Sequence, residues 1–326
     1  MRENMRLNAR RSDVAGSVVV IGNFDGVHPG HREVLSVARA TEPDLPLVVV
    51  TFWPHPASVV RPEGGPKLLT DLADRVALLR EAGADQVKVV DFTREFSQLT
   101  PAQFVDQVIL PLHPTRVVVG ENFRFGHKAA GTLATLRDLG AGRFEVTGLP
   151  LVKVRDEETC SSAVRAALHL GDVRHAAELL GRPFRFRGVV QHGDHRGREL
   201  GFPTANLPVP AAFAAPADGV YAGYLTRLDG RDAHGVALPP GRAATAWPAA
   251  ISVGTNPTFD GEEHRVESFV LNRDDLDLYG VDIAVDFCDR IRGQVKFAGV
   301  DALIAQMDAD VAATRVALAD HPCGRL

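Results

Sequence analysis

Along residues 17–154, short β-branched apolar runs alternate with stretches whose apolar residues recur at helical spacing. This rhythm predicts parallel strands joined by crossover helices. The strands fall at Ser17–Ile21, Leu47–Phe52, Val87–Asp91, Arg116–Gly120 and Phe144–Leu149. A helix is predicted over Asp71–Ala82, with Leu72, Val76, Leu78 and Leu79 as its apolar side. A second is predicted over Pro101–Leu110, opened by Thr100-Pro101 as N-cap and first turn. Helices Ser162–Leu170 and Val173–Leu180 close this half, and Gly181-Arg-Pro183 marks a boundary. Domains of 1–182 and 183–326 follow. Beyond the boundary the strands come in quick succession: Phe184–Gln191, Gly219–Arg227, Ala249–Val253, Val266–Leu271 and Ile283–Phe287. Such spacing predicts an antiparallel barrel. A terminal helix over Asp301–Ala319 carries Leu303, Ile304, Met307, Val311 and Leu318 as a packing stripe.

Length supports that division, because 326 residues exceed what one ordinary core organises. The 45% hydrophobic and 24% charged content excludes a wholly disordered chain. A net charge of -5, with 19 acidic against 14 basic side chains over residues 183–326, offers no footprint for a nucleic-acid backbone. Cys160, Cys288 and Cys323 are widely spaced and lack a C-x-x-C pattern, so neither a zinc site nor a disulfide framework is expected. No apolar run approaches a membrane span, and a cytoplasmic protein is the expectation.

The chemistry concentrates where the first strand ends. Val18-Val-Val-Ile-Gly-Asn-Phe-Asp-Gly-Val-His-Pro-Gly-His31 runs from an apolar strand through a glycine-punctuated turn into a helix that can begin near Arg32. Gly22, Gly26 and Gly30 allow backbone to approach a ligand, and a helix start offers free N–H groups to an anion. His28 and His31 can both donate to phosphoryl oxygens there. An isolated His-x-x-His is common by chance, but the strand and the Gly-x-Phe-Asp-Gly turn before it are not. His55, in Pro54-His-Pro56, is a third candidate.

The His28-Pro-Gly-His31 segment resembles the HxGH signature of the adenylyl- and cytidylyltransferases. Gly201-Phe-Pro-Thr-Ala-Asn206, Gly219-Val-Tyr-Ala-Gly223, Ser252-Val-Gly-Thr-Asn-Pro-Thr-Phe259 and Val266-Glu-Ser-Phe269 resemble the riboflavin kinase family. With Thr51-Phe-x-Pro-His-Pro56 and Gly120-Glu-Asn-Phe-Arg-Phe-Gly126, nearly the whole chain is similar to the bacterial bifunctional riboflavin kinase/FMN adenylyltransferases, also called FAD synthetases. The resemblance implies an α/β chain: a Rossmann-like nucleotidyltransferase domain with a parallel sheet, then an antiparallel β-barrel kinase domain with a terminal helix. It also implies two reactions. ATP phosphorylates riboflavin to FMN in the barrel, and a second ATP adenylylates FMN to FAD and pyrophosphate in the first domain.

Residue roles follow from the same resemblance. His28 and His31 would stabilise charge on the adenylyl group and departing pyrophosphate. Gly22, Asn23, Phe24 and Gly30 would line the nucleotide. Cys160-Ser-Ser-Ala-Val-Arg165 matches the second superfamily motif, with Ser161 and Ser162 at the nucleotide and Arg165 as a phosphate clamp. Asn122, Pro54 and Pro56 would contact the flavin. In the kinase half, Thr204 and Asn206 match magnesium and phosphate positions, and Glu267 matches the carboxylate that accepts the ribityl hydroxyl proton. The implied partners are riboflavin, FMN, FAD, ATP and Mg²⁺, without nucleic acid or membrane, and a homo-oligomer is an admissible assembly.

The chain departs from the family pattern at several positions. Cys160 stands where serine is usual and Ser162 where threonine is usual. His195 replaces a glycine, Trp53 an acidic residue and Val60 an aromatic one. A competing reading keeps only the adenylyltransferase active and makes the barrel a flavin-binding regulatory module; the intact Thr204, Asn206 and Glu267 set speaks against it.

Overall fold

The computed structural model describes residues 16–150, 153–154, 157–158, 160–192, 202–233, 235–239, 244–258 and 261–320. The chain forms two compact units. One comprises Leu72–Lys153 with the chain up to Pro66, and the other comprises Lys67–Asp71 with the chain from Val154.

The first unit is built on five parallel strands: β1 (Ser17–Ile21), β2 (Leu47–Trp53), β3 (Gln86–Asp91), β4 (Pro114–Gly120) and β5 (Glu145–Leu149), in the order β3-β2-β1-β4-β5. Register follows the side-chain period of two. Val19 pairs with Val48 and Val117 on one face, and Val20 with Val49 and Val118 on the other. The first row packs under Phe104, Ile109 and Leu136, the second under Leu35, Ala38 and Leu79. Burial on both faces explains why β1 and β2 read as unbroken apolar runs. Each fully buried valine contributes roughly 1.5–3 kcal/mol by transfer, so the central strands anchor the unit.

Helices α1 (Pro29–Thr41), α2 (Pro56–Val60), α3 (Leu72–Glu81), α4 (Pro101–Phe104) and α5 (Leu133–Gly140) connect the strands. The expected Thr100 cap on α4 is present as a capping box with Gln103. The helix predicted to run on to Leu110 changes instead to a π turn at Val105–Ile109, then to a 3₁₀ turn at Leu110–Leu112. Pro111 lacks the N–H that an α ladder needs there. On α3 the fully buried positions are Arg75 and Leu79. Strand order reverses between β1 and β4, and such a switch point opens a crevice at the carboxyl ends of the strands.

A two-residue pair, β6 (Lys153–Val154) and β7 (Glu157–Glu158), precedes α6 (Ser161–Leu170) and α7 (Val173–Leu180). These helices share the core of the second unit: Val164, Leu168, Leu179 and Leu180 pack with Phe184 and Phe287. The segment Lys67–Asp71 joins them. Leu68 N–H donates to Ala212 O at 2.7 Å, Leu68 O accepts from Ala214 N–H at 2.8 Å, and Leu69 enters the core.

Six antiparallel strands make the barrel: β8 (Phe184–Val189), β9 (Thr204–Pro208), β10 (Gly219–Arg227), β11 (Ala246–Thr258), β12 (Gly261–Val270) and β13 (Asp282–Arg292), in the order β8-β13-β10-β11-β12-β9. Its two edges approach at Gln191, whose N–H donates to Asn206 O at 2.9 Å. Strand β9 was not among the predicted strands, and β11 to β13 run longer than predicted. The core-facing row Ala205, Ser268, Ile251 and Tyr221 is followed by Leu207, Val266 and Val253. Against the opposite face, α8 (Val300–Asp320) lays Ala317 and Leu318 on Ala222, Tyr224, Cys288 and Ile291. Cys160 is free, whereas Cys288 is disulfide-bonded, which corrects the expectation of no disulfide at that position.

Candidate functional site

At the carboxyl end of β1, Gly22 N–H still bonds Val50 O at 3.1 Å, after which the chain leaves the sheet. A Cβ on Gly22 would lie 2.9 Å from the Phe24 ring, so only glycine lets that ring fold back. The turn passes through positive φ at Phe24 (50°), Gly26 (85°) and Val27 (41°). Left-handed backbone is uncommon for Phe and strained for β-branched Val. His28 then takes the N-cap position of α1, Pro29 follows at the first turn, and His28 O accepts from His31 N–H at 2.8 Å and Arg32 N–H at 3.1 Å.

The two imidazoles stack, with centroids 3.6 Å apart and planes at 23°, and Phe24 meets His31 edge-on at 5.1 Å. His28 is buried. The buried Nδ1 of His31 has no hydrogen-bond partner among the described residues. Burial holds the His31 pKa well below its ordinary value of 6.5, and the nearby His28 and Arg75 push it the same way.

Arg75 is the residue that sequence reading missed. It projects from α3 with its side chain fully buried. Nη2 reaches Asp25 Oδ1 at 3.1 Å, while Nη1 donates to Asn23 O at 3.1 Å and Phe52 O at 3.4 Å. Its guanidinium also lies 5.3 Å from the centre of the Trp53 ring. Thr51 Oγ1 donates to the same Asn23 carbonyl at 3.0 Å. A charge in a row of leucines reads as solvated; here Asp25, fifty residues away, gives it a buried partner.

Neighbouring strand ends complete this edge. Beyond β2 the Trp53-Pro54 peptide is cis, and His55 Nδ1 accepts from Ala57 N–H at 3.1 Å, capping α2 ahead of Pro56. His55 therefore has a structural role. Val60 ends α2 with 48% of its surface exposed. Beyond β4, Asn122 is exposed two residues past Gly120. The structure thus brings Gly22, Asn23, Phe24, His28, Gly30, His31, Pro54, Pro56 and Asn122 to one end of the parallel sheet.

Ser161, Ser162 and Arg165 open α6, which belongs to the second unit. Cys160 is the N-cap residue and makes no side-chain cap bond, as expected of a weak donor and acceptor. Arg165 Nε donates to Lys67 O at 2.5 Å.

In the barrel, Thr204 and Asn206 alternate onto one face of β9, and Asn206 Nδ2 donates to Thr204 Oγ1 at 3.3 Å and Thr204 O at 3.2 Å. Glu267 on β12 stands directly opposite Asn206, and Ser252 on β11 directly opposite Glu267. This row lies on the face turned away from the barrel core. Gln294, which carried no signal in sequence, donates to Ser252 Oγ at 3.3 Å and Val253 O at 2.9 Å. Phe202 and Phe269 meet edge to face at 5.2 Å beside it. Gly201 and the Gly193–Gly197 stretch with His195 lie outside the described residues.

A nucleotide-type turn at a parallel-sheet switch point, followed by a barrel with an outward carboxylate and hydroxyl row, defines a two-unit group-transfer enzyme. Residues 10–163 match the FAD synthetase family and residues 180–318 the riboflavin kinase family. The bifunctional riboflavin kinase/FMN adenylyltransferase of Bacillus subtilis is 35% identical over 305 residues, covering 92% of both chains. That of Escherichia coli K12 is 35% identical over 307 residues, covering 93% of both. A solved structure from Streptococcus pneumoniae, described as a macrolide-efflux protein, superposes with a TM-score of 0.78 at 34% identity, covering 92% of this chain and 94% of the other. No helix among the described residues is long and apolar enough to cross a membrane. The chain belongs to the bifunctional riboflavin kinase/FMN adenylyltransferase family. It phosphorylates riboflavin with ATP to FMN and adenylylates FMN with ATP to FAD.

Proposed function

We propose that the two reactions are divided between the two residue sets described above, with FMN made at Thr204, Asn206 and Glu267 and consumed at His28 and His31. The observation that carries this reading is that the two sets stand in different compact units, each with its own core. By activity, the chain divides into 1–182 for adenylyl transfer and 183–326 for phosphoryl transfer. This groups α6 with the first activity although it packs in the second unit.

In adenylyl transfer a phosphate oxygen of FMN attacks the α-phosphorus of ATP and pyrophosphate leaves. Gly22, Asn23, Phe24 and Gly30 let the turn and the start of α1 cradle the phosphates through backbone N–H groups. His28 and His31 donate to oxygens that gain charge in the transition state. The match of Ser161, Ser162 and Arg165 to the second superfamily motif supports Arg165 as a permanent cation for phosphate. Pro54, Pro56 and Asn122 line the flavin side.

In phosphoryl transfer Glu267 accepts the proton of the ribityl 5′-hydroxyl as that oxygen attacks the γ-phosphorus, and ADP leaves. A Thr hydroxyl and an Asn carbonyl are hard oxygen donors, few in number, which suits Mg²⁺ with most of its waters retained. Thr204 and Asn206 would hold it, and it would supply charge neutralisation of the phosphates. Glu267 positions and deprotonates the hydroxyl. ATP and free flavin as substrates fit a cytoplasmic enzyme.

A complementation assay tests the division. His31→Ala supplied with riboflavin and ATP should stop at FMN, and Glu267→Gln should leave riboflavin unconverted yet turn added FMN into FAD. A mixture of the two variants should carry riboflavin through to FAD. A mixture that yields none, or a variant deficient in both steps, contradicts the assignment.

A further inference from the structure

Two turns at the carboxyl edge of the parallel sheet meet on one buried side chain. Arg75 bonds the Asn23 carbonyl and the Asp25 carboxylate in the turn after β1, and the Phe52 carbonyl at the end of β2, with Trp53 against its guanidinium. The side-chain exposures of the Arg75–Asp25 pair are 0% and 2%. Both charges are therefore fully withdrawn from water. Such a pair adds little net stability compared with an apolar pair of the same volume, whereas losing one partner strands a buried charge. Its geometry carries more information than its energy. A planar guanidinium spreads fixed donors over separate nitrogens, here Nη1 on the two carbonyls and Nη2 on the carboxylate, a geometry that the single nitrogen of an ammonium does not reproduce.

What Arg75 holds is a strained segment. Phe24 and Val27 both have positive φ on either side of Asp25, and residues in such backbone persist only where their surroundings over-determine them. Arg75 and Thr51 both anchor it through their side chains, sharing the Asn23 carbonyl. One residue beyond Val27 the chain sets His28 at the N-cap of α1, and His31 follows three residues later.

We propose that Arg75 is a positioning residue for adenylyl transfer, locking the His28 and His31 turn to the strand end that leads into Pro54–Pro56. The proposal rests on the assignment of His28 and His31 to that reaction. Arg75 touches neither substrate nor a reacting atom on this reading. It acts by fixing where the imidazoles and the flavin-side turn stand with respect to each other, and an ångström of misplacement is costly in such a site. Its charge has a second effect. Among the described residues, the titratable and charged groups that act on the His31 ring are His28 from the turn and Arg75 from α3, with Asp25 paired to Arg75, while Arg32, next on α1, pairs with Glu81 at 3.7 Å. Arg75 is thus one of the cations disfavouring a proton on His31.

The test uses the full-length protein, with riboflavin-to-FMN conversion as an internal control in the same preparation. Arg75→Met and Arg75→Lys are compared with His31→Ala, and kcat, KM and the pH profile of FMN-to-FAD conversion are measured. The double variant Asp25→Asn/Arg75→Met removes both buried charges, so it folds even where Arg75→Met alone does not. For a positioning residue, kcat for FAD synthesis falls by about 100-fold in Arg75→Met and in the double variant, with KM for ATP within a few-fold. Arg75→Lys recovers only part of the loss, and the acid limb of the profile moves to higher pH when the cation is removed. FMN formation stays within about twofold in each. A double variant with wild-type kcat overturns the proposal, because the pair would then be structural filling only. So does Arg75→Lys with full activity and an unmoved profile. If His31→Ala retains FAD synthesis, the site assignment itself fails, and if only His31→Ala loses it, the assignment stands and Arg75 does not.

Discussion

Asn206 and Glu267 stand directly opposite each other where β9 pairs with β12, and Ser252 on β11 continues the row. Side chains directly across an antiparallel pair lie on one face with their Cβ atoms about 5 Å apart. Their row faces away from the barrel core because Ala205, Leu207 and Val266, the intervening residues, fill that core. The same alternation that builds the interior thus turns the polar row away from it, with Asn206 buried and Glu267 and Ser252 half-buried, and a one-residue slip would exchange the two faces.

Glu267→Gln keeps the shape of the side chain and removes its basicity. FMN formation should fall by about 10²- to 10⁴-fold, the usual range for losing a general base. FMN-to-FAD conversion should change by no more than about twofold. Separating the flavins after incubation with riboflavin, then with FMN, reads both numbers, and equal losses in the two would refute distinct sites.

His31→Ala should show the reverse pattern. Removing one preorganised donor to a developing negative charge costs about 10²- to 10³-fold in kcat. The stacking partner His28 then loses its neighbouring ring, so a modest rise in KM for ATP should accompany the fall. Steady-state assay of FAD formation at saturating FMN measures it, and unchanged FAD synthesis would remove His31 from the chemistry.

The strand and turn that carry the candidate adenylyl site were legible wherever local signals coincide. Strand β1 was predicted over its full extent, Ser17–Ile21, because five buried residues in succession leave no polar interruption, and the Gly22–His31 turn carries its glycines and imidazoles in a contiguous run. Strand β10 was likewise predicted at its observed ends, Gly219–Arg227. Arg75 was not legible. The apolar side predicted for α3 is Leu72, Val76, Leu78 and Leu79, and Leu79 is buried as expected, but Arg75 is buried with it because Asp25 and two carbonyls satisfy the guanidinium from distant sequence. Strand β9 was read only as a motif, since a five-residue strand ending in Pro208 after Pro203 looks like a turn until its partner β12 is known. Helices α6 and α7 read as the close of the first half, and their apolar stripes say nothing about which core receives them. The barrel does.

A bidentate ion pair ties the terminal helix to β13. Asp310, 7% exposed, receives Arg292 Nε at 2.8 Å and Nη2 at 2.6 Å and also accepts from Gln306 at 2.9 Å. Asp310→Ala leaves the guanidinium without its carboxylate and should destabilise the second unit by about 3 kcal/mol, near the lower end for breaking a buried pair. At roughly 2–4 °C per kcal/mol for a unit of this size, its Tm should drop by about 6–12 °C. Calorimetry of the full chain measures this, and a shift below about 1 °C would mean that α8 is held by its apolar contacts alone.

Acid should weaken the first unit through His31. Its folded pKa is depressed chiefly by burial, with His28 and Arg75 adding to it, whereas the unfolded ring titrates near 6.5. Above that pH both states are neutral and the ring makes no pH-dependent contribution. Below it the unfolded chain binds a proton that the folded chain refuses, so unfolding gains and stability declines until pH reaches the depressed folded value. One such group contributes at most about 1.4 kcal/mol per pH unit. Urea midpoints at about pH 7.5, 6.5 and 5.5 should therefore fall more steeply for the natural protein than for His31→Gln, the difference opening only below about pH 6.5. Parallel pH dependences would show that His31 is protonated as readily in the fold as out of it. Bound nucleotide should raise the whole curve, since a ligand held only by the folded state adds stability by mass action.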